Sequence, residues 1–104
     1  RYCSDDATFS VREVDMGLVA DLGTLQRLPK IISPGAAAEM AFTGATVDAA
    51  EALRIGLVNR RYDNPEDLLE GALSIAREIA AKSPLVIRGI KEMLRRDGLV
   101  TVAG

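Results

Sequence analysis

Glu13-Val14-Asp15-Met16-Gly17-Leu18-Val19-Ala20-Asp21-Leu22-Gly23-Thr24-Leu25-Gln26-Arg27-Leu28-Pro29 decides how this chain is read. Ahead of it, residues 7–14 alternate loosely, with Phe9 and Val11 on one side and Ser10 and Arg12 on the other, the period-2 pattern of a short strand. Glu13 falls at the exit of that strand. Residues 14–20 carry Gly17 and only weak periodicity, which predicts a loop or a single turn. Leu22, Leu25 and Leu28 then recur at helical spacing until Pro29 interrupts them, with Asp21 in the position of a cap. The stretch thus sets two carboxylates on either side of an apolar loop, one leaving a strand and one opening a helix. A carboxylate among Val14, Met16, Leu18 and Val19 would have its charged form desolvated and its pKa raised toward the range useful for moving protons. Spacing alone leaves a plainer account standing, with Asp21 a helix cap and Glu13 a solvated or salt-bridged acid.

Further along, Ser33-Pro34 joins an N-cap hydroxyl to a first-turn proline, and Gly44 closes the helix that follows. Thr46 is the expected cap of a short helix over 48–55, with Gly56 as its left-handed stop, and residues 57–62 read as extended. Asn64-Pro65 starts a longer helix to about Lys82. Its apolar stripe of Leu68, Leu69, Ala72, Ile75, Ala76, Ile79 and Ala80 predicts a core face. Ser33-Pro34 has a counterpart in Ser83-Pro84, which opens a helix to Arg96 with Ile87, Ile90 and Leu94 on one side and Gly98 as its end. These helices differ in length and register, so they are not a repeat.

Composition narrows the chemistry. With 104 residues the chain has room for one core. Thirteen basic and fifteen acidic residues give a formal charge of −2 without a basic block, so no nucleic-acid partner is expected. No window has the length of apolar sequence needed for a membrane helix. The absence of histidine removes Ser-His and Cys-His catalysis and most zinc sites, and no metal is expected. Cys3, the single cysteine, reads as a small buried apolar residue. Gly17 and Gly23 are too scattered for a nucleotide-binding loop, and Arg60-Arg61 and Arg95-Arg96 read as solvated charge. Catalysis, if present, falls to carboxylates, lysines, tyrosines, hydroxyls or backbone amides, with or without a bound cofactor, and the acids are the first candidates. The charged opening without an initiator Met suggests a piece of a longer polypeptide.

The run from Glu13 to Leu18, the run from Asp21 to Pro29, and then Phe42-Thr43-Gly44, Ala49-Ala50-Glu51-Ala52, Gly56-Leu57-Val58-Asn59 and Lys82-Ser83-Pro84 together resemble the crotonase (enoyl-CoA hydratase/isomerase) superfamily. Order and interval carry the likeness, which spans nearly the whole chain. It implies an α/β protein with the crotonase-like ββα spiral fold, of which this chain is the mostly helical C-terminal half. Residues 1–62 would end the spiral core with its active-site loop, and residues 63–104 would be packing helices. Ordinary hydratases usually carry glycine where Asp21 falls. Dienoyl-CoA isomerases, which convert 3,5-dienoyl-CoA to 2,4-dienoyl-CoA, carry aspartate there, and the run from Glu13 to Leu18 also resembles theirs.

The resemblance therefore implies Glu13 and Asp21 as catalytic acids, Glu13 for the C2 proton and Asp21 for C6, with a dienolate held by two backbone N–H donors. Those donors, a third acidic residue and most contacts to CoA would belong to the half preceding Arg1. It further implies an acyl-CoA thioester substrate in fatty-acid β-oxidation, no cofactor beyond the coenzyme A of that substrate, and a homotrimer or homohexamer. The location would be cytoplasmic, or mitochondrial or peroxisomal in a eukaryote. An enoyl-CoA hydratase or monoenoyl-CoA isomerase is the alternative within the superfamily, and an inactive oligomer-assembly fragment the alternative outside enzymes.

Overall fold

A computed structural model of the chain describes residues 1–19 and 23–96. It contains two compact units, Arg1–Leu69 and Glu70–Gly104. The first holds the core. Strand β1 (Tyr2–Ser4) lies parallel to β4 (Arg60–Tyr62), pairing Tyr2 with Arg60, Cys3 with Arg61 and Ser4 with Tyr62. The ladder is extended at both ends, by Asn59 N donating to Arg1 O at 2.6 Å and Asp5 N donating to Tyr62 O at 2.7 Å. Its side chains also interlock: the Tyr2 and Tyr62 rings lie 6.1 Å apart, and Arg61 Nε reaches Asp5 Oδ1 at 3.0 Å.

The second pair is antiparallel. Strand β2 (Thr8–Phe9) faces β3 (Val47–Asp48), with Thr8 opposite Asp48 and Phe9 opposite Val47. Only two residues of the strand expected over 7–14 are therefore extended. Between the strand pairs come helix α1 (Thr24–Arg27), a 3-10 turn over Leu28–Lys30, helix α2 (Pro34–Thr43) and helix α3 (Ala49–Arg54). The inner faces of the 3-10 turn, α2 and α3 join β1 and β3 in one cluster that includes Cys3, Val11, Leu28, Ile32, Met40, Ala52 and Val58. Small residues at the tightest points allow such short elements to approach closely, and Ala52 is wholly inaccessible.

The local signals at helix ends are mostly realised. Ser33 Oγ accepts from Ala36 N at 3.2 Å and caps α2. Helix α3 closes with Gly56 N donating to Leu53 O at 3.3 Å and Leu57 N to Ala52 O at 2.9 Å, the two bonds of a Schellman motif. Thr46 is not the cap of α3, however. Pairing with β2 keeps residues 47 and 48 extended, so the helix starts later and Asp48 takes the role, its Oδ1 accepting from Glu51 N at 2.8 Å. Helix α1 begins at Thr24 with Gly23 as N-cap and no side-chain cap bond, later than the expected start at Leu22. Gly98 lies outside the described residues.

Helix α4 (Pro65–Ala80) is seated at its start by Asn64, whose Oδ1 accepts from Asp67 N at 2.8 Å. Helix α5 is Pro84–Arg96. Neither has a buried residue, which corrects the expectation of a core stripe. Leu69 and Ile79 on α4 are exposed, as are Leu85, Ile90 and Met93 on α5. An amphipathic stripe reports that a face requires an apolar neighbour, and the described residues do not cover these two.

Two outcomes follow for the first unit. Asp48→Ala removes the α3 cap and is expected to lower stability by about 1 kcal/mol, read from the denaturant midpoint at unchanged slope. The Arg54 guanidinium forks onto Glu51, Nε reaching Oε2 at 2.7 Å, and this hydrogen bond holds the Glu51 carboxyl below its ordinary pKa. A depressed carboxylate contributes stability above its unfolded pKa and loses that contribution as pH falls through the folded value. The Glu51 carboxyl resonance should therefore titrate below the ordinary glutamate value of about 4.3 and return to it in Arg54→Gln.

Candidate active site

Val11 is buried and anchors the approach to the segment that carries Glu13. Glu13 opens a 3-10 turn, Glu13–Met16, which corrects its expected position at the end of a strand. The turn closes through Asp15 N to Arg12 O at 3.0 Å, Gly17 N to Val14 O at 3.2 Å and Leu18 N to Glu13 O at 2.9 Å. Gly17 reverses the chain at φ 71°, a left-handed conformation that suits glycine. Glu13 itself is half-buried.

The apolar residues following Glu13 do not form the slot expected around it. Val14 is 41% exposed, Leu18 59%, Met16 66% and Val19 80%, so within this chain they face outward. No residue of the turn is buried. Asp21 lies outside the described residues, so of the two carboxylates singled out in the sequence the structure positions Glu13.

Arg12 fastens the turn to the segment after α2. Its Nη2 donates to Thr46 Oγ1 at 2.7 Å and its Nε to Ser10 Oγ at 3.2 Å, while Nη1 lies 3.7 Å from Asp15 Oδ2. Arg12 and Thr46 are 34 positions apart, and the sequence points to Thr46 only as a helix cap and to Arg12 only as a strand residue. Nothing local marks a contact of that range.

A cavity of about 250 Å³ lies between the α1 segment and α2, walled mainly by Leu25, Leu28 and Pro29 on one side and by Ala37, Ala41 and Phe42 on the other. The lining is apolar, and none of these residues belongs to the Glu13 turn. The basic pairs are engaged elsewhere: Arg61 with Asp5, Arg95 and Arg96 with Glu92, and Arg60 over the Tyr2 ring at 5.9 Å. Among the described residues no group of three or more Cys, Asp or Glu side chains is gathered in a way that could hold a metal. What the segment presents is a half-buried carboxylate on a braced turn.

Residues 1–101 match the family model described as enoyl-CoA hydratase/isomerase. The chain is 46% identical over 102 residues to the peroxisomal Delta(3,5)-Delta(2,4)-dienoyl-CoA isomerase of Arabidopsis thaliana, covering 98% of this chain and 37% of that protein. It is 50% identical over 92 residues to the mitochondrial enzyme of that name from Homo sapiens, covering 88% of this chain and 28% of that protein. It thus spans roughly a quarter to two fifths of the length of these relatives. Among solved structures, an enoyl-CoA hydratase from Mycobacterium tuberculosis H37Rv superposes with a TM-score of 0.86 at 34% identity, over 96% of this chain and 39% of that one.

The thiol of the first unit gives an independent check on the packing beside β4. Cys3 is 4% exposed, and its burial, reinforced by Asp5, pushes the thiol pKa up. A thiol so placed is a poor nucleophile. Iodoacetamide should leave Cys3 unmodified in the native protein and alkylate it fully in denaturant, as mass spectrometry would record.

Proposed function

The chain belongs to the enoyl-CoA hydratase/isomerase family, and from that premise we propose that the protein carrying it is an acyl-CoA isomerase that converts 3,5-dienoyl-CoA to 2,4-dienoyl-CoA. The observation that carries this reading is the 46% and 50% identity to two proteins named as dienoyl-CoA isomerases, in a chain that has acids at both 13 and 21.

Glu13 removes the C2 proton, which is acidified by the adjacent thioester. The electron pair released delocalises through the two double bonds, and Asp21 delivers a proton to C6. The double bonds then stand between C2 and C3 and between C4 and C5, with no change in oxidation state. The reaction accordingly needs no cofactor beyond the coenzyme A of its own substrate. Two groups are required because the proton leaves one end of an extended diene and returns at the other. Asp21 acts in its protonated form, which calls for an apolar setting, and the protein outside this chain supplies the amide donors for the dienolate oxygen.

The substrate is an acyl-CoA thioester handled in fatty-acid β-oxidation, and the working assembly is a homotrimer or homohexamer in which the apolar faces of α4 and α5 become covered. No described helix is long and apolar enough to cross a membrane. The relatives' names support a mitochondrial or peroxisomal location in a eukaryote, with the cytoplasm as the setting otherwise.

Full-length protein given 3,5-dienoyl-CoA should produce the absorbance of the conjugated 2,4-dienoyl product. Glu13→Gln and Asp21→Asn should each lower kcat by on the order of a hundredfold or more, the usual scale for losing a general acid or base. Full turnover in either variant removes that residue from the mechanism. Hydration of 2-enoyl-CoA without diene isomerisation would favour the hydratase alternative, which the 34% identical hydratase structure keeps in view.

A further inference from the structure

We propose that Asp15, held by Arg12 against the Gly44 terminus of α2, is a positioning residue that fixes where the Glu13 carboxylate sits, an inference that rests on the role of Glu13 proposed above. The turn needs such a device. It has no buried residue of its own, and its packing into the core is confined to Val11 ahead of it. Its backbone bonds all fall within residues 12–18, which fixes its internal shape but not its seat.

The seat is built from polar contacts to the residues after α2. Arg12 spans from Thr46 Oγ1 at 2.7 Å to Asp15 Oδ2 at 3.7 Å, and Asp15 in turn lies flat over Gly44. A Cβ placed on Gly44 would come within 2.9 Å of Asp15 Oδ2 and 3.2 Å of its Cγ and Oδ1. The carboxylate occupies this spot because residue 44 has no side chain. Gly44 also ends α2 at φ 64°, its N–H donating to Met40 O at 3.0 Å.

Asp15 lies in the first turn of its own 3-10 helix, where an acid is favoured, but it also lies against the end of α2. The C-terminal end of a helix carries the carbonyl pole, where a negative side chain is unfavourable and a positive one is preferred. The Arg12 pair is largely solvated, with side-chain exposures of 60% and 54%, and pairs of that kind contribute little. An acid set against the carbonyl pole of α2 for so weak an ion pair points to a constraint besides stability. Here the constraint is geometric: Asp15 is two residues from Glu13 on the same tight turn, so its placement sets that of Glu13. Small displacements of a reacting group are costly, with about 1 Å enough for a hundredfold loss.

The test compares full-length Asp15→Ala, Asp15→Asn, Gly44→Ala and the Asp15→Ala/Gly44→Ala double variant, with Glu13→Gln alongside, using 3,5-dienoyl-CoA. Asp15→Ala should lower kcat by roughly tenfold with KM within about twofold, and Asp15→Asn, whose isosteric amide still fills the space over Gly44, should recover most of that loss. Gly44→Ala should slow turnover by displacing Asp15, and the double variant should be no slower than the slower single one. Wild-type kcat in Asp15→Ala, a loss confined to KM, or losses that multiply in the double variant would each overturn the positioning role. If Gly44→Ala fails to fold because of its backbone strain, the two exposed Asp15 variants decide the matter through kcat and the rescue. A dead Glu13→Gln beside a fully active Asp15→Ala discards the positioning role alone, whereas an active Glu13→Gln discards both assignments.

Discussion

Parallel pairing of two three-residue strands, β1 with β4, is the constraint on which the first unit depends. Parallel neighbours cannot be joined by a tight turn, so the intervening chain must leave one strand, cross over and return. In doing so it lays down the Glu13 turn, α1, α2 and α3. So short a ladder does not hold itself in water. It is kept by the core gathered in the crossover, where Cys3 from β1 meets Ala52 from α3 and Val58 ahead of β4. Pairing and core support one another. The second strand pair, two residues on each side, then draws the segment before the Glu13 turn toward the segment after α2.

That arrangement gives α2 two different surroundings. The residues between α2 and β3 present a glycine and a threonine to the turn, and the other flank of α2 presents Ala37, Ala41 and Phe42 to the α1 segment. One helix therefore serves a charged surface at its C-terminal end and a hydrocarbon-lined space along its side.

The sequence was informative where structure is local. Ser33-Pro34, Gly44, Gly56 and Asn64-Pro65 each announce a helix end because a cap involves atoms only a few residues apart. It was uninformative about β1, since three residues show no period, and the partner that makes Tyr2–Ser4 a strand lies at the far side of the crossover. Thr46 was misread for the same reason: a distant pairing with Thr8 and Phe9 delays the helix, and the threonine serves Arg12 instead. The stripe on α4 was legible as a pattern but not as an outcome, because periodicity does not say what will cover it. Glu13 was visible as a carboxylate beside an apolar run. Its candidacy came from resemblance to a family, and its setting on a braced 3-10 turn from the structure.

Gly44 answers to two masters, the termination of α2 and the accommodation of Asp15. A side chain at that place would be penalised by the backbone and by its neighbour at once, so neither requirement can be relaxed to accommodate drift in the other. Mutational tolerance should collapse there, at a buried position whose N–H is bonded to Met40 of the core, and compensating changes would have to arise in pairs across the turn and the helix.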